Sequence, residues 1–404
     1  MTNYLISKNS ATLDISNTSL GIYVSRARLS EAYPYIRDFP LQNYIFGVGL
    51  NDRGQLGLND LTRRSSPTIL GGRANWSSID SSSLTTFATK SDGTLWGWGA
   101  NDYGQIGDNT SNFLAGKSSP VQIGANTNWL IVETGGYSTF AIKTDGTLWS
   151  WGHNYNGQLG YGPASFTFGS LSNNKSSPTQ IGTDNKWISV KAPDFFHLAW
   201  ATKSDGTLWT WGSGRSSPTQ VGSSTNWTKI TGAYGSAVAG IQKDGTLWIW
   251  GPNLYGFFGD STGDYYAFRS TPVQIGTDNT WKQVIFDGQT GAHAIKTDGT
   301  LWAWAGSFLN VPPGNAAAYS SPVQIGTAKN WAKLIEPTMA IKTDGTLWGW
   351  DSVEPFVGAL YGNAPVSSPV LFGSATNSDW GRNWISVSTS ASGLIGIKDE
   401  TFFD

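Results

Sequence analysis

The chain has no cysteine, and only three histidines and two methionines in 404 residues. Disulfide staples, thiolate metal sites and a cysteine nucleophile are therefore excluded. Charge is scarce too, at 13% Asp, Glu, Lys and Arg against about 25% in ordinary soluble domains. The signs nearly balance, 26 basic against 28 acidic residues, and no basic run exceeds a pair such as Arg63-Arg64. A nucleic-acid footprint needs a basic patch, so no nucleic-acid partner is expected. No apolar run reaches the length of a membrane span, and residues 1–8 lack the apolar core of an export signal. His153, His197 and His293 share no repeat position, and His153 falls in a turn slot expected to be exposed. No Gly-X-Ser-X-Gly elbow, His-Glu-X-X-His pair or calcium-loop spacing occurs. The expectation is a protein without catalytic residues, bound metal or cofactor.

What the chain does have is repetition. Asp-Gly-Thr-Leu-Trp begins at Asp92, Asp145, Asp205, Asp244, Asp298 and Asp344, and a worn copy lies at Asp399-Glu400-Thr401-Phe402-Phe403. The interval ranges from 39 residues (Asp205 to Asp244) to 60 (Asp145 to Asp205), so the unit is fixed at its edges and elastic inside. A Ser-Ser-Pro element, or Ser-Thr-Pro at Ser270, travels with it, ending at Pro67, Pro120, Pro178, Pro218, Pro272, Pro322 and Pro369. A lone tryptophan follows each time, at Trp76, Trp129, Trp187, Trp227, Trp281, Trp331 and Trp384. Periods of this length mark solenoids, propellers or arrays.

Each unit translates into four short strands. Asp-Gly between alternating apolar residues is a hairpin turn, since Gly, and Asp less readily, tolerates positive φ. Proline suits a strand start or an edge, where no amide donor is needed. The fold class is therefore all-β: a seven-bladed β-propeller with four-stranded antiparallel blades over residues 41–404, preceded by a short N-terminal arm, residues 1–40. Most of the 21 tryptophans sit at fixed blade positions, where they are expected to wedge neighbouring blades together. Tyr44-Ile45-Phe46 aligns with Thr94-Leu95-Trp96, and so does Thr401-Phe402-Phe403. The two termini thus address one strand site, and the segment from Ile395 to Phe403 is expected to close the ring beside Ile45.

The string Trp98-Gly99-Ala100-Asn101-Asp102-Tyr103-Gly104-Gln105-Ile106-Gly107 resembles the repeat of the regulator of chromosome condensation family. So do the strings starting at Gly49 and Trp151. The style is similar to the bacterial and bacteriophage branch of that family, whose members form seven-bladed propellers. The resemblance implies binding rather than chemistry. Nuclear members act as nucleotide-exchange factors and commonly carry Gly-X-X-His-Thr, but the matching positions here read Gly136-Tyr137-Ser138-Thr139 and Gly291-Ala292-His293-Ala294. Exchange activity is therefore a distant alternative.

The loops between the Gly-Gln-Leu-Gly and Ser-Ser-Pro elements vary in length, spanning residues 58–64, 108–117 and 161–175 in the first three units. Aromatic residues gather there: Tyr161, Phe166 and Phe168, then Tyr255, Phe257, Phe258, Tyr265, Tyr266 and Phe268, then Phe356 and Tyr361. Aromatic loops on a rigid scaffold make recognition surfaces, so these residues are the candidate partner-binding set; the competing reading folds them inward over the ring's mouth. The functional expectation is a non-catalytic interaction or structural propeller, specifically a bacteriophage virion component, either decoration or tail-associated. Its partners would be other virion proteins, bound through residues 1–40, or a host surface protein or glycan. A secreted or cell-surface bacterial binding or inhibitor protein is the main alternative.

Overall fold

The computed structural model describes residues 6–8, 11–13 and 43–399, apart from 83, 112–115, 163–172, 193–197, 233–236, 254–256, 261–266, 288–290, 306–320, 337–338, 351–368, 372–382 and 391–392. Its contacts divide the chain into Met1–Leu41 and Gln42–Asp404. In the first unit, Ile6–Lys8 pairs antiparallel with Ala11–Leu13. The docking role expected of residues 1–40 falls otherwise outside the described residues.

The second unit contains seven four-stranded antiparallel sheets, the blades of a β-propeller. Blade 1 runs Trp76–Ser82, Thr85–Lys90, Leu95–Gly99 and Lys117–Gln122. Blades 2 to 6 repeat this order from Trp129, Trp187, Trp227, Trp281 and Trp331. Blade 7 is made from both ends of the chain. Trp384–Ser390 and Gly393–Asp399 are followed in space by Asn43–Gly49 and Arg64–Ala74. Ile45 lies opposite Ile397 and Asn43 opposite Asp399, so the expected closure is present. The N-terminal strand takes the shared third position; residues 401–403 are outside the described set.

The strands that begin with the lone tryptophans contact one another in succession, the seventh returning to the first, and so line the axis. The Ser-Ser-Pro strands form the outer edge, where Lys117–Gln122 has no fully buried residue. Proline at such an edge removes a donor that has no partner to lose.

The recurring pentapeptide has a physical explanation. Asp92 Oδ1 accepts from Thr94 N at 3.0 Å and Thr94 Oγ1 at 2.7 Å, and Thr94 Oγ1 accepts from Trp96 Nε1 at 3.0 Å. The same relay holds in the units of Asp145, Asp205, Asp244, Asp298 and Asp344. Only the glycine takes positive φ, +78° at Gly93, and a Cβ there would lie 2.0 Å from Thr127 O of the next connection. The aspartate is needed for its carboxylate, not for its backbone tolerance.

Blades 1 to 6 each present tryptophans of three kinds. The lone ones are buried, as are the second of each Trp-X-Trp pair, such as Trp98, Trp151, Trp211 and Trp304 at 0% exposure. The first of each pair is half-buried and meets the lone tryptophan edge-to-face, as Trp129 does Trp149 at 5.9 Å. Such pairs add about 0.5–1.5 kcal/mol beyond the area they bury. A lysine closes this corner: Lys143 Nζ lies 4.6 Å from the Trp129 ring and 3.9 Å from Trp149. Burial holds the Lys143 ammonium below the usual lysine range, and the flanking rings partly offset that cost.

Candidate functional site

One end of blades 1 to 6 carries the Asp-Gly turns. The other carries the loop between third and fourth strands and the hairpin between first and second. Side chains brace these loops from within. Asn101 Oδ1 accepts from Ile106 N at 3.0 Å, and Gln105 Oε1 accepts from Tyr103 N at 2.8 Å. Asn51 with Gln55, and Asn154 with Gln158, repeat the arrangement. The loop then locks to the next blade: Gln105 O accepts from Trp151 Nε1 at 2.8 Å, and a Cβ on Gly107 would lie 2.6 Å from that nitrogen. The glycines thus serve turn geometry and close packing.

Three such loops, from blades 7, 1 and 2, build a continuous stripe. Arg53 Nη2 donates to both Asp102 oxygens at 2.6 and 2.7 Å. Beside it Tyr103 lies 4.9 Å from Tyr137 and 4.6 Å from His153, which stacks on Tyr155 at 6.2 Å. Gln158 Nε2 and His153 Nδ1 are 2.9 Å apart; the amide must donate, so Nδ1 accepts and the imidazole is oriented. His153 is therefore half-buried in an aromatic ladder, not an exposed turn residue as expected. Tyr137 stays 40% exposed. Burial, then Tyr137 and Asp102, pushes the Tyr103 phenol above its usual range.

A second cluster lies on the axis. The open edges of the innermost strands, which would otherwise invite pairing, are capped by side chains of adjoining blades. Asp80 Oδ2 accepts from Thr134 N at 2.8 Å, and Gln283 exchanges bonds with Leu334 N and O at 2.9 and 2.8 Å. Lys229 Nζ donates to Lys282 O at 2.6 Å, Ser81 N donates to Ser388 Oγ at 2.9 Å, and Lys191 pairs with Glu133. Burial, then Glu133, pushes Asp80 up to about 7.

The aromatic residues singled out from sequence separate. Phe257 and Phe258 are 0% and 1% exposed and pack with Trp304, so they are not contact residues. They occupy the places of Gln105 and Ile106: Asn253 Oδ1 accepts from Phe258 N at 2.8 Å, and Phe257 O accepts from Trp304 Nε1 at 3.0 Å. Tyr161 is half-buried against blade 2, its hydroxyl donating to Ser150 O at 3.1 Å; burial pushes its phenol up to about 12. Phe268 is 71% exposed. Phe166, Phe168, Tyr255, Tyr265, Tyr266, Phe356 and Tyr361 lie outside the described residues. The sequence reading missed Tyr103, Tyr137 and Tyr155, which sit in regular loops rather than long ones. It also missed His293, 3% exposed, whose Nε2 accepts from Trp350 Nε1 at 3.2 Å. Among the described residues no helix is long and apolar enough to cross a membrane.

A family model described as the regulator of chromosome condensation (RCC1) repeat matches residues 92–142 and 145–200, and a second of the same description matches 76–105 and 131–158. The ultraviolet-B receptor UVR8 of Arabidopsis thaliana is 35% identical over 122 residues, 29% of this chain and 27% of the receptor. Human HERC6, named a probable E3 ubiquitin-protein ligase, is 30% identical over 124 residues, 30% of this chain and 12% of that protein. The matched stretch thus spans about a quarter or less of these relatives. Yeast RCC1 (Prp20), solved bound to Kap60, superposes with a TM-score of 0.73 at 17% identity, covering 92% of each chain. The repeat matches lie within residues 76–200, and there they agree with the blades: this stretch carries repeats similar to those of the regulator of chromosome condensation.

Proposed function

We propose that this propeller is a non-catalytic protein-interaction module whose contact surface is the stripe of Tyr103, Tyr137, His153 and Tyr155, flanked by the Arg53–Asp102 pair. One observation carries the reading: blades 1 and 2 hold an aromatic ladder partly open to solvent, and blade 7 adds Arg53 beside it. Tyrosines supply large contact area at small entropic cost, and Arg beside them is typical of interface centres. Yeast RCC1, which shares the fold, was solved bound to another protein, Kap60. The test is photo-crosslinking in the native host from a reactive residue placed at Tyr137. The expected result is one discrete adduct, lost in Tyr103→Ala while the melting temperature is kept. An unchanged adduct in that variant, or none in the parent, overturns the assignment.

The finer reading is a bacteriophage particle component, secured through residues 1–40. It rests on composition: low charge, abundant Gly and Trp, and a non-repeat arm ahead of a ring. Mass spectrometry of purified particles tests it, and absence from particles sinks it. An adduct with a small GTPase, with accelerated nucleotide release, would instead favour exchange activity.

A further inference from the structure

An aromatic corner is built in every blade, from two tryptophans in blades 1 to 6 and from Trp384 and Phe46 in blade 7, but it is not filled alike. In blades 1, 2, 3, 5 and 6 a lysine two places before the turn aspartate sits over both rings. Its Nζ lies 4.5–4.9 Å from the lone tryptophan and 3.5–4.1 Å from the first of the pair. Blade 7 does the same with Lys398, over Trp384 and Phe46. In blade 4 that position is Gln242. In blades 3 and 5 the lysine also pairs with Asp184 or Asp278 in the connection before the lone tryptophan. Blade 4 has Ser224 at that place, held by Gln242 only through a long 3.4 Å bond.

The rings themselves have not relaxed. Trp227 and Trp248 lie 6.2 Å apart at 78°. The lysine-filled pairs lie 5.9–6.1 Å apart at 75–80°. The corner is therefore formed without its cation. Gln242 is uncharged and one bond shorter than lysine, and it is half-buried, so the position is reached from solvent. We propose that Trp227 and Trp248 form a binding site for an alkylammonium group supplied from outside the chain. Recognition is by the two indole faces, as the chain's own lysines are recognised in the other blades. Gln242 swings aside at the cost of one weak hydrogen bond. The site lies at the Asp-Gly end and does not depend on the tyrosine stripe.

The test uses the full chain labelled with 5-fluorotryptophan, the Trp248 signal being assigned by Trp248→Phe. Butylammonium chloride is titrated against sodium chloride at matched ionic strength, with an acetylated lysine-containing tripeptide amide as a second arm. A saturable shift at Trp248, with Trp149 and Trp348 unmoved, is expected. Gln242→Lys, which supplies the cation internally, should weaken binding at least about tenfold and raise the melting temperature. Gln242→Ala, which clears the corner without adding charge, should tighten it. Binding of butylammonium but not of the peptide identifies a small amine as the ligand. No saturable shift in either arm, an equal shift with sodium chloride, or unchanged binding in Gln242→Lys overturns the proposal.

Discussion

The two ends of each blade obey different rules. At the turn end a carboxylate, a hydroxyl and an indole two residues apart form one relay, repeated in six blades with hardly a change in distance. At the loop end the bracing asparagine persists, while the residues between it and the closing glycine change from Asp-Arg to Asp-Tyr to Tyr-Asn. The first end depends on local geometry and is intolerant. The second depends on a frame that carries variable cargo. A family can diversify recognition there without disturbing blade packing.

The largest effect should come from blade 7, where both ends rest on strands far apart in sequence. Deleting residues 393–404 removes the strand paired with Asn43–Gly49 along its whole length. Denaturant unfolding is expected to lose its cooperative transition, and a sharp transition near the parent midpoint would refute closure by that strand. Next comes Gly93→Ala. Left-handed backbone alone costs about 1–2 kcal/mol, and the Thr127 carbonyl collision adds to it. Gly124→Ala has the same sign of φ, +62°, but nothing within 4 Å, so it should cost only the backbone share. Equal losses in the two would show that the turn end tolerates more than its geometry implies.

At the loop end the contrast lies between two phenylalanines of one blade. Phe257→Ala should cost about 3–5 kcal/mol, since it opens a cavity beside Trp304 and Phe286. Phe268→Ala, at a 71% exposed site, should fall within about 0.5 kcal/mol of the parent. Thermal melts of both decide whether aromatic content at this end reports packing or surface.

That contrast shows what the sequence could disclose. Turns, strand count and ring closure were legible because they rest on residues near one another or on a repeated alignment. Phe257 and Phe258 were misread because composition was weighed above register. Asn253 and Gly259 bracket them just as Asn101 and Gly107 bracket Gln105 and Ile106, which marks them as packing positions. Most contacts of the tyrosine stripe and the axial caps join residues about fifty apart, in blades whose adjacency the repeat implies but whose side-chain contacts it does not. His293 is the extreme case. It stands where blades 1 and 2 have Phe87 and Phe140, each against the next blade's tryptophan, and supplies Trp350 with an acceptor.

The smallest effect separates the axis from that blade interface by pH. Asp80 is pushed up to about 7 from 3.8 by burial and Glu133. Between those values the unfolded chain has released a proton that the folded chain keeps, so this group makes stability fall as pH rises. His293 is held down at about 3, from 6.5, by burial. Between those values the unfolded chain takes up a proton that the folded chain refuses, so this group makes stability rise with pH. From about pH 4 to 6.5 the two oppose each other. Urea midpoints across that window should show Asp80→Asn gaining a steeper rise with pH than the parent. His293→Gln, whose amide oxygen can still face Trp350, should shift the slope the other way. Because each variant is compared with the parent, the turn aspartates common to all three cancel. Parallel profiles for all three chains would mean that neither group titrates differently on folding, and that the axial strands and the interface are wetter than their geometry implies.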